Sequence, residues 1–154
     1  MFQHRGILIA VVVLVGFGPA IWAYVRRKRA EGSFRRFVAG LRPRAAVPSI
    51  AGAGRHTPRP FAAWEAEPGA LLLCTRDEGT VLVGGGPVTV MRRLVGAFVP
   101  PAPRCDEAWL AGWRARKDVV AAAPAVEGGA IVVWKGLPTG PHAQARLAEL
   151  AASL

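Results

Sequence analysis

Beyond the first few residues the chain holds two histidines, His56 and His142, 86 positions apart, and two cysteines, Cys74 and Cys105, 31 apart. A metal site draws its ligands at short, regular spacings, and neither pair has such a spacing. No HExxH stretch accompanies the histidines, so no metal or cofactor is expected. The serines past the juxtamembrane region, Ser49 and Ser153, do not sit in a nucleophile elbow. Cys74 with His142 and an acid would make a nucleophile, a base and an orienting group, but any small protein offers such a trio. Asp77 and Glu78 facing Glu65 or Glu67 across a hairpin would make a carboxylate pair; a solvated strand edge is the simpler reading. Trp109 and Trp113, at i and i+4, would form an aromatic cage or, more ordinarily, part of a core. No catalytic residue is assigned.

What the sequence does mark is a place. Ile7 to Val25 is a run of nineteen residues without a charge, closed at once by Arg26, Arg27, Lys28 and Arg29. As a helix it would cover about 28 Å, near the thickness of the hydrocarbon core of a bilayer. Trp22 and Tyr24 fall at its charged end, where amphipathic rings favour headgroup level. Pro19 is tolerable inside such a span. Excess Lys and Arg marks the cytoplasmic flank, so a single-pass anchor is expected with its N-terminus outside and its C-terminal side in the cytoplasm. The rival is a cleaved signal peptide with Ile7 to Phe17 as apolar region and Gly18-Pro19-Ala20 as cleavage site. Its positive charge would have to precede the apolar run, and here the strong block follows it.

Division of the net charge of +10 supports this reading. Residues 1–44 hold nine Lys or Arg against one acid, Glu31, a net +8; residues 45–154 hold eleven against nine, a net +2. The basicity is therefore juxtamembrane, where it suits anionic lipid headgroups. No basic stripe with interleaved aromatics marks the remainder, so nucleic acid is not an expected partner. In the cytoplasm Cys74 and Cys105 are expected as reduced thiols; outside it they would be free to pair.

The pattern divides the chain into an anchor (1–29), a basic segment with a Pro/Gly-rich linker or irregular crossing (30–59) and a small domain (60–154). Within Glu31 to Leu41, Phe34, Phe37, Val38 and Leu41 recur at helical spacing with Arg35 and Arg36 on the other side. Phe34, Arg35, Arg36 and Phe37 are thus candidates for a helix lying in the membrane interface; packing of the same stripe on the domain is the equal alternative. Gly52-Ala53-Gly54 lacks the third glycine of a dinucleotide loop.

Strands are predicted over Phe61 to Glu67, Ala70 to Arg76 and Thr80 to Val83, with turns at Pro68-Gly69 and Asp77-Glu78-Gly79. Gly84-Gly85-Gly86 is read as a wide turn that breaks the sheet. Val88 to Val99 is read as helix on the spacing of Met91, Leu94, Val95 and Phe98, against the strand character of Val88-Thr89-Val90. Asp106 should cap a short helix bearing Trp109, Leu110 and Trp113. Val119 to Val126 is a weak strand and Ala130 to Trp134 a clear one, reached through Gly128-Gly129. Pro141 opens a terminal helix whose buried face is Leu147, Leu150, Ala151 and Leu154.

Two stretches carry a resemblance. Gly54-Arg55-His56-Thr57-Pro58-Arg59-Pro60-Phe61-Ala62-Ala63-Trp64 follows the anchor, and Val126-Glu127-Gly128-Gly129-Ala130-Ile131-Val132-Val133-Trp134 precedes the last helix. This order is similar to a group of uncharacterised single-pass membrane-anchored proteins of GC-rich bacteria. In that group a Gly-Arg-Pro-Phe-x-Ala-aromatic strand opens a small α+β domain; here Pro58 and Trp64 depart from the pattern. The resemblance implies architecture and no activity.

The expected fold is α+β: one transmembrane helix, then a short, mainly antiparallel sheet with two or three helices. The expected function is that of a membrane-tethered, cytoplasm-facing interaction or scaffold protein without catalytic activity, its partners the lipid bilayer and another membrane or cytoplasmic protein. An exported small-domain protein, and a membrane-associated enzyme or small-ligand binder using Trp109 and Trp113, are the alternatives.

Overall fold

One helix, α1 (Phe2–Val38), carries the apolar run without a break into the rest of the fold. The structure is a computed structural model describing residues 2–66 and 69–154. Glu67 and the Pro68 half of the expected Pro68-Gly69 turn lie outside the described residues. From His4 to Val38, α1 is long and apolar enough to cross a membrane, with none of its apolar window buried. Residues such as Leu14, 72% exposed, touch little else in the chain.

The chain then forms six strands in one wholly antiparallel sheet, ordered β1-β2-β3-β4-β6-β5. These are β1 (Pro43–Arg44), β2 (Arg59–Ala66), β3 (Ala70–Val83), β4 (Gly86–Val99), β5 (Val119–Pro124) and β6 (Ala130–Trp134). Two short helices complete the fold, α2 (Glu107–Arg114) and α3 (Gly140–Ser153). The α+β class with its antiparallel sheet matches the expectation.

Both sheet faces are covered. On one, Leu72, Cys74, Val95, Val132 and Trp134 pack under the helices, with Phe34 and Val38 of α1, Trp113 of α2 and Leu150 of α3. On the other, Ile50 with Val47 lies over Leu73, Leu94, Ile131 and Val133. The Pro-rich passage 42–58 is thus an ordered crossing, tied by β1 and by an isolated bridge between Ile50 and Ala125. Every residue of β6 is buried, as a continuous Ala-Ile-Val-Val-Trp run should be between two covered faces. The caps are local: the Asp106 carboxylate accepts from the Trp109 amide at 2.9 Å and the Thr139 hydroxyl from the His142 amide at 3.1 Å. Each such cap is worth about 1 kcal/mol.

Three expectations need correction. Residues 88–99 are strand, not helix: β4 pairs with β3 from Leu71↔Phe98 to Val83↔Gly86. Their false helical spacing arises because Leu94 and Val95 are both buried, one on each face. Asp77-Glu78-Gly79 does not turn; it runs through the middle of β3, where Asp77 meets Arg92 of β4. Gly84-Gly85-Gly86 does not break the sheet. Gly84 (φ 59°) and Gly85 (φ 85°) form a two-residue hairpin turn that requires positive φ at both positions.

The boundary drawn at residue 29 falls inside α1. Ala30, Phe34 and Val38 belong to the domain's core. Phe34 meets Trp64 edge-on, ring centres 5.6 Å apart, and Phe37 packs against the same cluster. Phe34 therefore lies in the core and Phe37 is half-buried against it, the packing alternative for this stripe, while Arg35 and Arg36 on the opposite side are exposed.

Candidate functional site

Three landmarks fix how α1 runs over the sheet. Gly40 and Leu41, just past its end, border Ala70, Leu71 and Phe98 in one groove. Phe34 contacts Trp64, the pairing partner of Leu72. Arg27, Ala30 and Glu31 share a cavity with Arg76, Met91, Arg92 and Arg93. Following α1 toward its N-terminus thus parallels following β3 from Ala70 toward Val83. The apolar run of α1 and the tip of the β3–β4 hairpin leave the domain at the same end.

The third landmark is the site. Its cleft holds about 870 Å³ and is also lined by Val119, Val120 and the Lys135–Pro138 turn. Five cations line it, Arg27, Arg76, Arg92, Arg93 and Lys135, against one carboxylate, Glu31. Glu31 stands 3.6 Å from Lys28, one turn back on α1. Asp77, 6% exposed, accepts from Arg92 at 2.6 Å. Gly79 makes that bond geometrically feasible, since a Cβ there would stand 2.8 Å from the Arg92 Nε. Phe61 braces the floor, with the Arg76 guanidinium 4.4 Å and that of Arg93 5.8 Å from its ring centre. Among the described residues, Arg27, Arg76, Arg93 and Lys135 have no carboxylate partner. Clustered guanidinium groups of this kind, exposed on one side of the cleft, suit phosphate-type anions.

Beneath this floor lies Cys74. Burial pushes its thiol up to about 11, with Arg93 and Arg76 pulling the other way. At neutral pH it is a protonated core thiol. Cys105, part-buried, is also raised, first by burial and then by Asp106, and both cysteines are free thiols. His142 sits in the first turn of α3, its ionisation lowered by burial and by Arg146. His56 is exposed in the crossing segment.

The other sequence candidates are dispersed. Glu65 pairs with Arg44 at 3.1 Å, and Asp77 with Arg92, so no carboxylate pair forms from them; Glu67 is outside the described residues. Trp113, 5% exposed, stacks edge-on to Trp109 and Trp134 at 6.0 and 5.6 Å, as core. Of the α1 candidates, Arg27 lines the cleft, whereas Arg26, Arg29, Arg35 and Arg36 border a second groove beside Thr139 and His142. Trp22 and Tyr24 lie exposed on α1 under Arg26 and Lys28, cation to ring centre 5.3 and 5.7 Å.

The sequence reading missed Arg76, Arg92, Arg93 and Lys135. One signal for the hairpin arginines was present: residues 79–91 carry no charge and are closed by Arg92-Arg93, as 7–25 are closed by Arg26–Arg29. Comparison with known proteins finds no matching family model, no similar curated protein and no similar solved structure.

Proposed function

We propose that the chain is a single-pass membrane protein whose domain faces the cytoplasm and works by contact, without catalysis, holding anionic headgroups in its basic cleft. One observation carries this: Arg27, two residues past the apolar run, lines the same cavity as Arg76, Arg92, Arg93 and Lys135. The clustered cations therefore stand at the level where the apolar helix begins. A chain surrounded by water rarely exposes an apolar surface of this length, which supports a membrane-embedded helix. Each Lys or Arg near an anionic surface contributes about 1 kcal/mol, so four without carboxylate partners give about 4 kcal/mol, roughly a thousandfold in affinity. The likeness of the 54–64 and 126–134 segments to anchored bacterial proteins belongs to the same reading. A domain held this way would serve as a scaffold for a neighbouring membrane or cytoplasmic protein.

Two measurements test it. A reporter fused after Leu154 should be active only in its cytoplasmic form; activity outside would replace this reading with that of an exported domain. Calorimetric titration of detergent-solubilised full-length protein should show short-chain phosphatidylglycerol binding more tightly than phosphatidylcholine, the difference shrinking as salt rises. Replacing Arg76, Arg93 and Lys135 by Gln should erase it. Equal binding of both lipids by the natural protein ends the headgroup reading.

A further inference from the structure

We propose that the β3–β4 hairpin beyond Asp77 and Arg92 is a second membrane-contact element, entering the headgroup–acyl boundary of the leaflet from which α1 emerges. This rests on the reading of α1 as a membrane span.

The first support is the matching of two charge boundaries. On α1 the uncharged run ends at Arg26–Arg29; on the hairpin it ends at Arg92-Arg93. Arg27, Arg92 and Arg93 line one cavity, so the two boundaries lie at one level of the molecule. Past that level α1 carries no charge back to Gly6, and the hairpin only Glu78, one residue beyond Asp77 and opposite Met91, at the headgroup edge. Both leave the domain on the same side.

Reach is the second support. From Arg76 to Gly84 the strand advances eight residues, about 26 Å at 3.3 Å each. From Arg27 to Val25 the helix advances only about 3 Å. If Arg27 is at headgroup level, a hairpin of that length cannot stop short of the lipid unless it bends sharply away.

The surface chemistry agrees. Leu82 is 74% exposed, Met91 53% and Val88 44%. The turn that leads is Gly84-Gly85, uncharged and slender.

The backbone limits the depth. β2 accompanies β3 only as far as Arg76, and β6 accompanies β4 only from Gly96 onward. Past those points each strand has an unpaired outer edge, which hydrocarbon cannot satisfy but headgroups and interfacial water can. Val83 and Gly86 close the two-residue turn, so Leu82 and Pro87 form a non-hydrogen-bonded pair whose outer positions face away. Pro87 lacks an N–H there and removes one of those exposed donors. The hairpin therefore lies slantwise in the interface and does not span.

The test uses full-length protein in phosphatidylglycerol/phosphatidylcholine vesicles, with Cys105→Ser to leave buried Cys74 as the sole, unreactive thiol. A polarity-sensitive fluorophore is placed at Leu82→Cys, Val88→Cys, Leu14→Cys on α1, or Val126→Cys at the far end of the sheet. The hairpin labels should be blue-shifted and several-fold less quenched by iodide than the Val126 label, and quenched by a nitroxide on shallow lipid positions. Hairpin labels as open to iodide as Val126, with Leu14 protected, overturn the proposal and leave the anchor standing. An iodide-accessible Leu14 label overturns the anchor reading itself. Protection at Leu82 that disappears as protein is diluted in excess lipid assigns the hairpin to a second copy, and also overturns it. Leu82→Asp with Val88→Asp is the independent check: iodide access should rise at a Thr89→Cys label while far-UV circular dichroism stays unchanged.

Discussion

The Gly140 amide donates to the Ser33 hydroxyl at 3.1 Å, joining the first turn of α3 to α1 across 107 positions of sequence. A Cβ at Gly140 would stand 3.1 Å from the Phe37 Cβ and 3.2 Å from the Ser33 carbonyl oxygen. The two helices meet as closely as they do because that position has no side chain.

Gly140→Ala should accordingly destabilise the protein by overpacking, by about 1–3 kcal/mol. Ser33→Ala should cost less, about 0.5–1.5 kcal/mol, since it removes one hydrogen bond and adds no bulk. Urea unfolding of the full-length protein in mild detergent measures both. Equal losses would show that the contact is governed by the bond alone.

Trp113→Ala should cost about 3–5 kcal/mol, because the ring is a buried member of the core. It packs at 86° to Trp134, itself fully buried, and carries the Arg116 guanidinium 4.8 Å from its ring centre. Against a domain stability of about 5–15 kcal/mol that loss is readily measured. A stable variant that had merely lost affinity for a small ligand would revive the cage reading.

Acid should weaken the fold in two steps. Burial and Arg146 lower His142 below its ordinary 6.5, so the unfolded chain takes up that proton more readily. Its contribution is whole above about 6.5 and declines as pH falls through the lowered folded value. Arg116 and Arg146 hold Asp118 below its ordinary 3.8, so the second loss sets in below about pH 4. His142→Gln should flatten the unfolding profile between pH 7 and 5 and leave the lower step in place. A profile unchanged by that substitution would remove His142 from the account.

Much of this fold was legible because local signals agreed with tertiary ones. Asp106 and Pro141 mark helix starts in the sequence and in the structure, and the Ala130–Trp134 run is strand in both. The failures cluster in β3 and β4. Strand alternation is visible only where one face meets water; Leu94 lies under Ile50 while Val95 lies under the helices, so alternation vanished and a helical spacing took its place. Asp77 looked like a turn residue because its partner Arg92 is fifteen positions away. The cleft was half legible. Arg26–Arg29 announce themselves as a block, but Arg76, Arg93 and Lys135 join Arg27 only through the sheet, and no local pattern encodes that meeting.

The unbroken passage of α1 from its apolar run into the core has one more consequence. A domain on a slack tether would sample a hemisphere of orientations, whereas here apolar helix and core are one shaft without a joint. In a bilayer its height and tilt are then set by the shaft, and spinning about the shaft is its principal remaining motion. The register of that helix becomes a compass bearing. Each residue added or removed among Arg26–Arg29 would swing the span's faces relative to the domain by about 100°. Any neighbour gripping the span and the domain together would therefore read the length of that basic block as an angle.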